Sequence, residues 1–265
     1  VAGPTTAERG ADEDLDSGPP PRRRLPGPPA LIAAAVALVL IGGACVWTLY
    51  GSSWLRVERV SVSGTRVLTE AQVREAAAVP VGDPLISVDL DAIESRLLAK
   101  LPRIDSVEVT RSWPHGIGLK VSERTPVLIV EATGNSGNYV EVDAKGVRFA
   151  TVSRAPEGVP LLELTVSRSG SSAASLRRFG EDRLVREAVR VADAIPAAIA
   201  PQTLVVKVRS YDAISLELSG DRTVAWGSAE RGRAKGRALT ALMKAAPDAG
   251  HFDVSVPTAP ASSGS

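Results

Sequence analysis

The chain has 265 residues, 44% of them apolar and 23% charged, with a formal net charge of +1; at roughly 100 to 200 residues per domain that length holds one or two folded domains plus extensions. Near-neutrality argues against a nucleic-acid binder, which needs a basic excess to neutralise phosphates. With 2 His and 1 Cys, the chain cannot build a His/Cys structural zinc site or a disulfide framework.

The average hides three unlike zones. Residues 1–29 hold 7 of the 19 prolines and the acids Glu8, Asp12, Glu13, Asp14 and Asp16. Such a segment buries too little apolar surface to offset its ordering entropy, and it is expected to be a disordered tail. Residues 30–50 carry no charge. The run Leu31 to Tyr50, at about 1.5 Å per residue, spans the roughly 30 Å hydrocarbon core as a helix. Trp47, Tyr50 and Trp54 cluster at its far end, where amphipathic rings favour the membrane interface. Arg22, Arg23 and Arg24 just before the span predict a cytoplasmic N-terminus and place the larger C-terminal part outside. The run is longer than the apolar core of a cleaved signal peptide and passes directly into Trp47 and Trp54.

The remaining residues have balanced charge and no Cys. Leu55 and Val57, then Val60 and Val62, alternate as in a half-buried strand, with a phase slip at Glu58-Arg59 that predicts a bulge or kink. Thr69 and Gln72 have capping-box spacing, flanked by Leu68 and Val73 at staple positions, so a short helix is expected to about Ala78. A second helix starts near Asp89, with Leu90, Ile93, Leu97 and Leu101 on one face, and Pro102 stops it. Val107 and Val109, then Ile117, Leu119 and Val121, alternate on either side of Trp113-Pro114-His115-Gly116 and predict a hairpin. Trp113 and Pro114 read as its structural anchors. Two helices over one face of a three-stranded sheet give an economical two-layer unit for a segment of this size.

This strand-helix-helix-strand-strand order resembles the POTRA domain of the bacterial cell-division family FtsQ/DivIB. So do its position after a span and the strings Val60-Ser61-Val62-Ser63-Gly64, Leu101-Pro102-Arg103-Ile104, Arg111-Ser112-Trp113-Pro114 and Ser122-Glu123-Arg124-Thr125-Pro126. The Arg-rich, Ala-, Val- and Gly-rich composition is similar to that of GC-rich actinobacterial proteins.

Further along, Tyr139 to Asp143 alternates and runs into the turn Asp143-Ala144-Lys145-Gly146, and Val159-Pro160-Leu161-Leu162 follows after a loop. A helix from about Glu181 carries Leu184, Ala188, Val191 and Ile195 on one stripe until Pro196. Leu204–Val208, Ile214–Leu218 and Val224–Trp226 predict three strands, the last two joined across Ser219-Gly220-Asp221. A helix from about Ala229 to Ala246 carries Arg231, Arg233, Lys235, Arg237 and Lys244, read as a solvated face. His251 to Val256 is a short strand closed by Pro257, and a small-residue tail over 258–265 is expected to be disordered. The strand-Asp-x-x-Gly, Pro-Leu and Phe252-Asp253-Val254-Ser255-Val256-Pro257 segments resemble the second, beta-rich domain of FtsQ.

The fold class expected is therefore α+β: a single transmembrane helix (30–50), a POTRA domain (55–126) and a mixed, beta-rich domain (127–257). No catalytic or cofactor-binding set stands out, because there is no nucleophile elbow, P-loop or dinucleotide fingerprint. His115 and His251 read as surface residues. Glu141 and Asp143 lie two apart on one strand face, with a solvated face as the expected setting.

The resemblance implies a non-enzymatic scaffold at the division septum. It would bind bitopic proteins of the FtsB/DivIC and FtsL type and help control septal peptidoglycan synthases. It further implies partner binding at the last strand and its neighbour, here Asp253, Val254, Ser255 and Val256 together with Arg209. A sheet edge offers a partner unpaired N–H and C=O groups. A single-pass envelope sensor that binds a cell-wall ligand is the alternative from a different class.

Overall fold

The computed structural model describes residues 28–51, 55–132, 137–165 and 177–264. The tail expected over 1–29 lies, as far as residue 27, outside the described residues, as does Trp54. Helix α1 (Pro28–Val46) continues through a π-helical turn, Trp47–Gly51. Together they give one stretch, Leu31–Tyr50, long and apolar enough to cross a membrane. Its Leu31, Ile32, Leu38, Val39 and Leu40 side chains point outward, uncovered by protein. The Thr48 hydroxyl donates to the Ala44 carbonyl at 2.8 Å, which keeps a polar group satisfied inside the apolar run.

Beyond the span, the described strands form two sheets, one of three strands in the order β1-β3-β2 and one of nine in the order β12-β11-β10-β9-β8-β7-β4-β5-β6. The smaller sheet joins β1 (Arg59–Ser63), β2 (Ile104–Ser112) and β3 (Gly116–Glu123). Helices α2 (Glu70–Ala77) and α3 (Leu90–Lys100) supply its second layer. The capping box forms in full: the Thr69 hydroxyl accepts from Gln72 N–H and the Gln72 side chain accepts from Thr69 N–H. The Asp89 carboxylate caps α3 through Ala92 N–H. The phase slip before β1 is also present. Glu58 and Arg59 both donate their N–H to the His115 carbonyl, at 2.8 and 3.1 Å, so two residues oppose one and the strand re-aims. Val57, Val73, Leu85, Ile93, Leu97, Ile117 and Leu119 close the core of this layer pair. Gly64 ends β1 at φ +85°, where a Cβ would lie 2.1 Å from the Val121 carbonyl oxygen, so the backbone there excludes any other residue.

Two residues, Arg124 and Thr125, separate β3 from β4 (Pro126–Glu131), which enters the larger sheet beside β5 (Tyr139–Asp143). Neither β4 nor β6 (Arg148–Val152) was expected. The apolar run Val127-Leu128-Ile129-Val130 has no alternation, because Leu128 and Ile129 on opposite pleats are both buried.

Strand β7 (Leu161–Leu164) runs parallel to β8 (Thr203–Ser210), and β10 (Arg222–Gly227) runs parallel to β11 (His251–Asp253). Parallel neighbours need a crossover. Helix α4 (Glu181–Ala194) lies between the first pair and α5 (Gly232–Ala245) between the second, and both contribute to one core around Leu128, Leu184, Val206, Leu216, Trp226, Leu239 and Phe252. The helices touch where α5 has Gly232 and Gly236. A Cβ on Gly232 would lie 2.6 Å from Ala194 Cβ, and one on Gly236 would lie 2.8 Å from the Ala194 carbonyl oxygen.

Helix α5 is not uniformly solvated, as its basic run suggested. Lys235 is buried, with its ammonium donating to the Ser228 carbonyl at 2.8 Å, and burial lowers its pKa from the ordinary lysine value.

Candidate functional site

The C-terminal end of the larger sheet is built from β9 (Ala213–Leu218), β10 and β11. Phe252 anchors β11 in the core with no exposed surface. The strand stops at Asp253 for a local reason: its carboxylate turns back to accept the Ser255 N–H at 2.9 Å. The Ser255 hydroxyl and then this N–H hold the Asp253 carboxyl below the ordinary aspartate range. Val254 is fully buried and donates its N–H to the Ala225 carbonyl at 3.0 Å. Ser255 is exposed, and Val256 keeps 53% of its surface in solvent.

Two expectations about this site need correction. First, β11 is not the edge of the sheet. The chain turns at Val256–Ala259 and returns as β12 (Ala261–Ser263), which pairs antiparallel with β11 through His251/Ser263, Phe252/Ser262 and Asp253/Ala261. The segment expected to be a disordered tail is thus in part a strand, held by backbone pairing alone because its small side chains are all exposed. Such residues carry no hydrophobic periodicity, which hid the strand from a sequence reading. Second, Arg209 is exposed on β8, which is not a neighbour of β11. Strands β9 and β10 intervene, placing it three strand spacings away, roughly 14 Å. It lies near Asp253–Val256 only across the breadth of the sheet.

A second charged cluster joins the two sheets, and three of the strings that carry the family resemblance converge on it. Glu141 and Asp143 on β5 are buried to 4% exposure each, not solvated. Arg103, from the turn after α3, pairs with Glu141 and stacks over the Phe149 ring at 5.2 Å. Arg124, from the link between the sheets, pairs with Asp143 and lies 3.1 Å from Asp105. Asp143 also begins its turn as expected, accepting Lys145 N–H and Val147 N–H at 2.8 Å each. Lys145 reaches back to Asp105 at 2.6 Å, and this hydrogen bond, with Arg124 nearby, lowers the Asp105 pKa.

Glu123 completes the junction. Its carboxylate accepts from Arg66, Val67 and Leu68 N–H, pinning the loop before α2. Burial pushes the Glu123 pKa up, but the three donors outweigh it and the net shift is downward from the ordinary 4.5. A carboxyl lowered in the folded state stabilises fully above its ordinary pKa, and this contribution disappears as pH falls through the folded value. Glu123→Gln is therefore expected to flatten the acid limb of the stability-pH curve below about pH 4.5, read by thermal unfolding at successive pH values. An acid limb as steep as that of the unsubstituted chain would exclude this role.

The family described as POTRA domain, FtsQ-type, matches residues 55–124. Over its whole length the chain is 70% identical to the cell division protein FtsQ of Streptomyces collinus and 70% identical to that of Streptomyces coelicolor, covering 100% of each. It is 31% identical to the cell division protein FtsQ of Mycolicibacterium smegmatis over 91% of this chain and 66% of that one.

Proposed function

Because this chain belongs to the FtsQ family of bacterial cell-division proteins, we propose that it is a non-enzymatic, single-pass scaffold of the divisome. Its N-terminus faces the cytoplasm and its two sheet domains lie outside, at the septum. They capture bitopic partners of the FtsB/DivIC and FtsL type and through them help control septal peptidoglycan synthases. The observation that supports capture at the C-terminal end is the contrast between two adjacent strands. Strand β11 is fixed in the core by Phe252, while β12 beside it is three exposed small residues long. A partner strand with apolar side chains displaces β12, pairs with β11 and reaches Asp253, Ser255 and Val256. Main-chain hydrogen bonds supply its affinity.

Septal function is tested by depleting the protein while following a fluorescent fusion. Septation is expected to fail, and the fusion to gather at septa. A uniform membrane signal with normal septation would reject the divisome reading. The displacement of β12 is tested by Ser263→Pro, which removes the N–H that β12 presents to His251 of β11. Partner capture by the full chain in detergent is expected to rise several-fold. A fall in capture would mean that β12 itself is the template.

A further inference from the structure

We propose that the end of the three-stranded sheet nearest the span is a membrane-docking foot, in which Val81 and Trp113 rest in the interfacial layer of the same lipid bilayer that the chain crosses. This goes beyond partner capture and rests only on membrane anchoring.

Chain continuity fixes the place. The span ends at Tyr50, and Val57 is already fully buried in the domain core. Seven residues reach at most about 25 Å even when fully extended. The end of the span itself meets the domain, since Cα atoms of the Trp47–Gly51 turn come within 8 Å of those of Leu85–Ser87.

Two loops grip the entering chain at this point. On one side Val57 N–H donates to Asp83 O at 2.9 Å, Gly82 N–H donates to Val57 O at 2.8 Å, and the Arg56 guanidinium donates to Gly82 O at 2.7 Å. On the other side the His115 carbonyl accepts from Glu58 and Arg59. Arg111 ties the hairpin to the first loop through the carbonyls of Leu85 and Val88, at 3.0 and 2.7 Å. The tips of these two loops are Val81, 65% exposed, and Trp113, 52% exposed.

Trp113 is thus not an anchor packed within its hairpin, as its sequence context suggested. A tryptophan held out on a rigid turn close to a membrane span has the amphipathic ring and the position of an interfacial belt residue. Charge does not oppose the contact, since Arg56, Arg59 and Arg111 exceed Glu58 and Asp83 at this end by one, and a small positive excess is compatible with lipid headgroups. Docking by this foot fixes the height and tilt of the domain above the membrane.

The test uses the full chain in phosphatidylcholine nanodiscs. Cys45, the one cysteine, is replaced by Ala, and Val81→Cys carries an environment-sensitive fluorophore. Val256→Cys is the control, because it follows β11, which lies five strand spacings, roughly 24 Å, across the large sheet from β4. With nitroxide-labelled lipid, the Val81 label is expected to be quenched at least about two-fold more than the control, with little dependence on salt. Adding Trp113→Ser is expected to bring that quenching toward the control value. Equal quenching at the two positions overturns the proposal and leaves the exposed pair to a protein partner. Quenching at Val81 that is indifferent to Trp113→Ser overturns the part assigned to Trp113.

Discussion

Arg103→Ala is expected to destabilise the folded chain by roughly 3–5 kcal/mol, the usual cost of leaving a buried carboxylate without its cation. Glu141 is 4% exposed, and among the described residues Arg103 is its ion-pair partner. The substitution also removes the guanidinium from the face of Phe149. Replacing both partners with apolar residues, Arg103→Met with Glu141→Leu, is expected to restore most of the loss, because a stranded buried charge costs more than the pair's own attraction contributes. Thermal unfolding of the full chain in detergent, compared across the two single variants and the double variant, measures this directly. A double variant as unstable as Arg103→Ala would show that packing at the junction, and not charge burial, carries the energy. The junction also has a mechanical role. With two linking residues and a set of ion pairs on both sides, the smaller sheet is held to the larger one, so the membrane-proximal end and the β11–β12 end keep a fixed relation.

Val254→Pro is expected to cost about 3 kcal/mol or more, since proline removes the N–H that the Ala225 carbonyl accepts and puts a ring into a fully buried site. In an edge strand open to a partner, Val254 would tolerate this change with only partner capture lost. The structure reverses that, because Val254 is a core residue beside β10. Ser263→Pro, on the exposed outer strand, is expected to change stability by less than about 1 kcal/mol. The pair therefore separates folding from capture. Circular dichroism melting checks both variants. A stable Val254→Pro chain would show that the Ala225 bond and the buried side chain are dispensable.

The legible elements share a physical cause. The capping box at Thr69, the stripe on α3, the hairpin around Trp113 and the three strands from 203 to 227 are each set by neighbours within a few residues, so their signals are local. Other features were not legible. β4 is buried on both faces and lacks alternation. β12 has no apolar residue larger than alanine. Lys235 looked like one more surface cation. Glu141 and Asp143 looked like an exposed strand face because their cations, Arg103 and Arg124, stand well before them in the chain. The strings that carried the family resemblance contain both arginines, but their spacing alone does not say which carboxylates they meet.

Hydropathy and caps act over one or two helical turns, so the uncharged span, the α+β class and the β-α-α-β-β order can be read from local sequence. Which strand closes the sheet, the three-strand separation of Arg209 from β11, and the buried junction of Arg103, Arg124, Glu141 and Asp143 emerge only when the chain packs. Those outcomes depend on strand order and on pairing between residues distant in the chain. The free energy that selects them comes from burying one shared core, which no local segment can do alone.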